Sequence, residues 1–513
     1  MQFADRSRAA FADRTGKRAR VAKPVTAAML SSILPGTGEW YAGARRRAGL
    51  GWLVSFGLVG AVMIRLAGEP VVRLVVQPDV VIFLMAANGA MLLFRAGSSI
   101  DAYQVAVDAL PARRAAQFRP AVTAVALVSL LGVTAAPHLV IAYYGLSALD
   151  FLTGVFVDEK VDEVVAAAPP SAPASSTTST TERASSSLPA PIMALPILEL
   201  PEVSDPSIAS PPKITPFTKR HDRITILLVG GDAGPGRGGL RTDTMIVATM
   251  EPSTGKAALF SVPRNLGAVP LPRSFSKAFE GGVFDYRLNH VYGWAMDHPW
   301  YFPEAADAGA EALMQTIGGL LDLPIDYYAL IDLGGFVDLI DALGGIDVYV
   351  PDPILDRTSP AHPGDPWTRI NLKVGYQHLT GHEALAYARS RSTSSDYSRM
   401  DRQRCLLGSL AQQSDPIEIA IRIPSLVPVL DDVISTNIPL GHLPDLAETA
   451  AALDLADIIS VRFIPPGYTS GYDDYGHPVP RVALIRDTVS QVLDGTFEQD
   501  GSLSPADLAA ACG

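Results

Sequence analysis

The sequence predicts two architectures in succession, an all-α membrane region followed by an exported α/β domain. Three observations carry this reading. A hydrophobic content of 48% and a mean hydropathy of +0.21 are high for a wholly soluble chain. Long apolar segments fall within the first 150 residues, and from Arg223 onward strand-like and helix-like patterns alternate, which signals a layered α/β or α+β domain. At 513 residues the chain has room for two or three such units.

The first 24 residues carry Arg6, Arg8, Arg14, Lys17, Arg18, Arg20 and Lys23 and form a basic cytoplasmic N-terminus. Residues 25–150 form the membrane region. Spans are predicted at Ala48–Ile64, Val80–Phe94 and Ala121–Leu149, the first two short unless their flanks contribute. Val25–Gly43 is interrupted by Pro35, Gly36, Gly38 and Glu39 and reads as an interfacial or re-entrant segment. No small-residue cleavage site follows a single short apolar run, so no signal peptide is expected. Three crossings keep Arg45–Arg47, Arg95, Arg113, Arg114 and Arg119 inside with the N-terminus, at the expense of Arg73 alone. The expected location is therefore the cell membrane, multi-pass, with everything after the third span extracytoplasmic.

Residues 151–222 form a linker, richest in Ala, Pro, Ser and Thr between Ala166 and Pro216, that cannot bury a core. Such a tether would hold a domain some tens of ångströms off the membrane. The globular domain is expected over 223–495, with a tail at 496–513. Ile224–Val229 reads as a buried strand ending in Gly230-Gly231-Asp232, and a second strand runs from Thr242-Asp243 through Met250. After a turn at Pro252–Gly255, Lys256–Val262 returns as the third. If Glu251 pairs with Lys256, the same register sets Asp243 opposite Arg264. Helices are expected at Ala305–Leu321, at Gly335–Leu343, from Glu383, near Pro416–Leu430 and at Leu443–Leu453. Strands are expected at Tyr327–Leu333, Ile346–Val350 and Ile458–Ile464.

The densest chemistry lies in Tyr387–Arg391 and the run that begins at Asp396. That run reads as a helix with Asp396, Arg399 and Gln403 at i, i+3 and i+7 on one face, and Arg402 beside them. Guanidinium forks converging with Arg389 and Arg391 suit phosphate oxygens, the alternative being a solvated charged face. A net charge of −12 and the lack of a helix-turn-helix pattern argue against nucleic acid as a partner. The GPGRGGLR loop lacks the Gly-Lys-Ser/Thr ending of a nucleotide-binding loop, and His378 and His382 lack the glutamate of a zinc helix. The two cysteines, Cys405 and Cys512, both fall on the exported side. There they can form a disulfide fastening the tail to the cluster helix, or remain two free thiols.

The motifs ILLVGGD, RTDTMIVATMEPSTG, FSVPRN, RLNHVYGWA, LPIDYYALIDLGGFVDLIDALGGIDVYV, LTGHEALAYARSR and DYSRMDRQR, in that order over Ile226–Gln403, resemble the LytR-CpsA-Psr family of cell-wall phosphotransferases. The resemblance implies a mixed sheet flanked by helices. It also implies a polyprenyl-pyrophosphoryl glycan as substrate, peptidoglycan as acceptor, release of polyprenyl phosphate, and Mg2+ (or Mn2+) as cofactor. By that resemblance Asp232 and Asp243 serve the metal, and Arg264, Arg287, Arg389, Arg391, Arg399 and Gln403 bind the pyrophosphate. Asp396 orients arginines or acts as a base, a role for which Asp243 is the other candidate; with Arg264, Arg389 and Arg391 these make up the implied catalytic set. Two positions depart from the family pattern: Asn265 stands where an aspartate is usual, and Arg287 where a lysine is common. Two rival functions use the same features, a pyrophosphohydrolase with water as acceptor and a non-catalytic wall-binding or regulatory anchor. Paired metal carboxylates favour a catalyst over an anchor.

Overall fold

The computed structural model describes residues 23–70, 76–111, 120–156, 223–233, 239–391, 396–413, 422, 434–454 and 457–497. The basic residues before Lys23, Arg73, Arg113, Arg114, Arg119, the linker after Phe156, the helix expected near Pro416–Leu430, and Cys512 with its tail lie outside them.

The membrane region comprises α1 (Pro24–Ile33), α2 (Thr37–Tyr41), α3 (Arg45–Leu66), α4 (Pro78–Asp108) and α5 (Pro120–Val155). Three helical stretches, Arg45–Leu66, Pro78–Asp108 and Leu127–Val155, are long and apolar enough to cross a membrane. Ten-residue α1 covers only about 15 Å, half the hydrocarbon thickness. The chain turns after it at Gly36, where φ is 99° and an added Cβ would lie 2.5 Å from the Ala48 carbonyl oxygen. Ala27 of α1 is buried with Ala102 and Ala106 of α4. Arg95 donates to the carbonyls of Ser32 and Ile33 at 2.8 and 3.0 Å, satisfying the open end of α1. Arg47 pairs with Asp101 at 2.6 Å. With these partners α4 continues helically well past Phe94, where the apolar run ends.

The C-terminal domain is built on a six-stranded mixed sheet in the order β10-β3-β2-β1-β4-β9. Its strands are β1 (Ile224–Gly231), β2 (Thr242–Glu251), β3 (Lys256–Ser261), β4 (Tyr327–Ile331), β9 (Ile434–Thr436) and β10 (Ile459–Arg462). Strands β1 and β4, and β3 and β10, run parallel, and the remaining neighbours are antiparallel. One face is closed by α6 (Val291–Asp297), α7 (Ala308–Leu321) and, late in the chain, α12 (Val482–Asp494). Leu227, Val229, Met245, Val247 and Phe260 of the sheet pack there with Ile317, Leu320 and Ile485. The other face meets α8 (Leu333–Ala342), α9 (Gly381–Arg389) and α10 (Asp396–Gln413). Asp307 caps α7, Asp332 caps α8, and Thr380 with Glu383 forms a capping box on α9, so each helix starts where a side chain takes up its open amides.

Between α8 and α9 lie two hairpin-like ribbons, β5 (Ile346–Val350) with β8 (Gly375–Leu379), and between them β6 (Ile354–Thr358) with β7 (Thr368–Leu372). Strands β6 to β8 go beyond the sequence reading, because their mixed charged and apolar residues give no clean alternation. Helix α11 (Leu443–Ala451) and the ribbon β11 (Thr469–Tyr472) with β12 (Pro478–Pro480) complete the domain.

The domain packs directly on the N-terminal helix bundle. Val155 at the end of α5 is buried with Leu339, Ala342, Leu343 and Ile434, and Phe156 packs on Ile224, Met250 and Tyr327. This differs from the stand-off expected of a tethered domain. The apolar end of α5, Phe151 to Phe156, offers surface for the sheet to bury before the linker begins.

Candidate active site

The site forms where β1 and β2 end together. A bulge between Gly230 and Gly231 shifts the β1–β2 register, and a Cβ on Gly230 would lie 2.9 Å from that of Thr244. The pairing continues through the Asp232 amide, which donates to the Arg241 carbonyl at 2.7 Å. Asp232, 5% exposed, then receives Arg389 at 3.2 Å on one oxygen and Arg241 at 3.3 Å on the other. Arg389 is steered from behind by the hydroxyls of Ser359 and Thr358 at 3.2 and 3.4 Å.

On the neighbouring strand, Glu251 faces Lys256 and Ile246 faces Ser261, the register that brings Asp243 to Arg264 beyond the end of β3. Arg264 forms an ion pair with Asp243. Arg399 lies 3.7 Å from the same carboxylate and donates to the Asp243 carbonyl at 3.1 Å. The Asn289 amide donates to the other carboxylate oxygen at 3.1 Å. Burial pushes the Asp243 carboxyl up, but Arg264, Arg399 and the Asn289 amide outweigh it and hold the group below its ordinary value. His290 is lowered, chiefly by burial, with the Arg241 and Arg287 charges adding to the effect.

Two cavities meet at these residues. One, of about 270 Å³, is almost wholly apolar and runs between the sheet and α8, α9 and α10, lined by Leu228, Ile246, Ala329, Phe336, Leu385, Leu406 and their neighbours. The other, of about 340 Å³, is lined by six arginines (Arg241, Arg264, Arg287, Arg389, Arg391 and Arg399), Asp232, Asp243, Asn289 and His290. Asp232, Asp243, Arg389 and Arg399 line both. With histidine neutral, the polar cavity carries a net charge of +4. Such a site attracts a multiply charged anion attached to an apolar group.

The structure thus gathers Asp232, Asp243, Arg264, Arg287, Arg389, Arg391 and Arg399 around one cavity, while Gln403 lines the apolar one beside them. Asp396 begins α10, and its side chain lies outside those described. Arg287 also donates to His477 at 3.0 Å. Arg402 is turned away from the cavity: it is buried, bonds the carbonyls of Tyr387 and Ser390, and lies over the Tyr387 ring. His378 and His382 sit on a strand and a helix rather than on one helix face, bonded to Asp347 and Asp365 respectively. Arg241 and His290 were not among the residues singled out from the sequence. Arg241 had a usable signal, since it stands two residues before Asp243, just ahead of β2; His290 had none. Cys405 is wholly buried in the core beneath α9 and α10 and is not a free thiol.

Among the described residues no three His, Cys, Asp or Glu side chains converge as a metal cage. The donor set does suit a hard cation arriving with phosphate. Asp232 and Asp243 face one cavity, and the Asn289 side-chain oxygen is buried there without a hydrogen-bond partner. One or two carboxylates plus substrate oxygens are the usual complement of magnesium.

The chain is similar to known proteins. The LytR_cpsA_psr family model matches residues 202–484, more than half of the chain. Over 264 residues the chain is 30% identical to the polyisoprenyl-teichoic acid–peptidoglycan teichoic acid transferase TagV of Bacillus subtilis (strain 168), covering 50% of this chain and 61% of that one. Over 227 residues it is 29% identical to TagU of Halalkalibacterium halodurans, covering 44% and 64%. The match therefore spans less than two thirds of those relatives' lengths. The crystal structure of B. subtilis TagV aligns with a TM-score of 0.39 at 26% identity, covering 53% of this chain and 98% of that structure.

Proposed function

Because this chain belongs to the LytR_cpsA_psr family, we propose that it transfers a phosphoryl-linked glycopolymer from a polyprenyl-pyrophosphate carrier to peptidoglycan outside the membrane, releasing polyprenyl phosphate. One observation carries the reading: an apolar cavity and an arginine-lined cavity share Asp232, Asp243, Arg389 and Arg399. A lipid diphosphate is the ligand chemistry that fills both at once. The teichoic acid transferases similar to this chain are named for polyisoprenyl-linked substrates and peptidoglycan acceptors. In this topology the chain crosses the membrane three times and its catalytic domain is extracytoplasmic.

In the transfer, an acceptor hydroxyl oxygen bonds to the glycan-side phosphorus as the bond from that phosphorus to the bridging oxygen breaks. The electron pair leaves with polyprenyl phosphate, and the hydroxyl proton passes to a base. Phosphoryl transfer rests mainly on positioning and charge stabilisation. Arg389 and Arg399, at the junction of the cavities, face the diphosphate where a prenyl chain would emerge. Arg264, Arg287 and Arg391 line the outer part, where the glycan-side phosphoryl group would sit. Asp243 fixes Arg264 and Arg399, and its depressed pKa makes it a weak base; Asp396 is the other candidate. Asp232, Asp243 and the Asn289 oxygen would hold Mg2+ (or Mn2+), whose chemistry there would be to neutralise negative charge on the diphosphate.

The test uses the full chain in lipid vesicles with magnesium, a polyprenyl-pyrophosphoryl saccharide and peptidoglycan, compared with Arg391→Ala. Polyprenyl monophosphate released together with a sugar-phosphate adduct on the wall, both lost in the variant, is the expected result. Release without an adduct would point to hydrolysis, and binding without release to an anchor.

A further inference from the structure

The apolar cavity has a direction. Ile224, Ile226, Leu228 and Gly230 alternate onto one face of β1. The charged groups stand at the Gly230 end of this row, and Phe156 packs at the Ile224 end. From Ile226 to Gly231 the strand advances about 17 Å. Leu339 and Ile434, which line the cavity, also pack with Val155. The charge-free end of the cavity thus abuts the end of α5, whose residues 127–155 are apolar and long enough to span a bilayer.

We propose that the end of α5, through Phe151, Val155 and Phe156, seats the catalytic domain on the membrane with the apolar end of its cavity at the lipid surface. The occupant of this route is the prenyl tail of the carrier, which enters sideways from the leaflet beside α5. This rests on the lipid-diphosphate reading above. A tail longer than the cavity leaves it at the end away from the arginines, and the seat returns that portion to hydrocarbon. Without the seat the tail would cross water, at a cost proportional to its apolar area. The membrane helix is then part of substrate loading, and its last turn is matched to the cavity mouth.

The test uses the full chain in vesicles and two donors carrying the same saccharide, one long-chain and bilayer-embedded, the other short-chain and water-soluble. In Phe156→Asp, kcat/KM for the embedded donor is expected to fall about tenfold or more, the loss of roughly one buried aromatic contact, with the soluble donor turned over as in wild type. Equal rates for both donors, or an equal fall for both, would overturn the proposal. A second measurement is independent of activity: Val155→Cys combined with Leu343→Cys should form an oxidant-dependent intramolecular cross-link in vesicles, and its absence in active protein would sink the seat. Should wild type turn over neither donor while the cross-link forms, the phosphotransferase reading fails and the seat stands.

Discussion

The two faces of the six-stranded sheet are nearly equal in apolarity and opposite in packing. Leu227 and Val229 are buried against α6, α7 and α12 in a closed core, whereas Leu228 and Gly230, one residue along the same strand, look into a cavity of about 270 Å³. What differs is the cover. The closed face receives interlocking aromatics, with Phe260 stacked on Phe463 and Phe275 against Phe302. The open face receives three helices, two of which bring Arg389 and Arg399 to its rim. There the rim is made of paired charges, Arg389 with Asp232 and Arg399 beside Asp243, rather than of interlocking apolar side chains. Filling serves stability, and leaving space serves binding.

Variants can sharpen this contrast. At the rim, Arg389→Ala should lower turnover by about 10²- to 10³-fold with only a small change in melting temperature, because Arg241 keeps the buried Asp232 carboxylate paired. Steady-state rates and a thermal melt on the same sample check it, and a large drop in melting temperature would contradict the division. On the closed face, Phe260→Ala should cost about 3–5 kcal/mol of stability, against about 1 kcal/mol or less for Leu228→Ala, measured by denaturant unfolding. Filling the open face with Ala329→Phe should raise KM for a prenyl donor about tenfold with a small change in stability; an unaltered KM would mean that the tail does not use this cavity.

The smallest effect concerns the brace outside α8. Ala361 packs on Leu333, Val337 and Leu385, His362 bonds Asp338 at 3.0 Å, and His382 bonds Asp365 at 3.1 Å. The His362 amide, and then His382, hold the Asp365 carboxyl below its ordinary value. A depressed carboxyl contributes fully above its unfolded pKa, about 3.9, and loses that contribution as pH falls through the folded value. Asp365→Asn should therefore cost about 1 kcal/mol at neutral pH and converge with wild type in acid. A gap that persists at low pH would assign the effect to packing.

Much of the site was legible because it follows from local geometry. The turn at Pro252–Gly255 sets one register, and that register carries Asp243 to Arg264 at the opposite end of the β2–β3 hairpin. Helical spacing put Arg399 and Gln403 on one face, and both line the apolar cavity. Where the sequence was silent, the outcome depended on which way an element turned. Arg399, Arg402 and Arg404 are chemically alike, yet the first faces the cavity, the second caps α9, and the third is wholly buried near Asp401, its pKa lowered to about 10 mainly by burial. Strands β6 to β8 escaped because a ribbon exposed on one side tolerates Asp356 and Arg357 in its middle. The seat of the domain on α5 was missed because the sequence reading ends the third span at Leu149 and starts the linker at residue 151, whereas the helix continues to Val155.

Arg402 gives the site its rigidity. Its guanidinium is bonded to the carbonyls of Tyr387 and Ser390, so the end of α9 that carries Arg389 is riveted to the helix that carries Arg399. The two rim cations are thereby held at a fixed spacing, and the proposed diphosphate would meet donors already aimed. Little ordering entropy is then left for binding to supply. The mutual repulsion of those cations is held in place by a bond to the backbone, ready to be relieved by the ligand's charge.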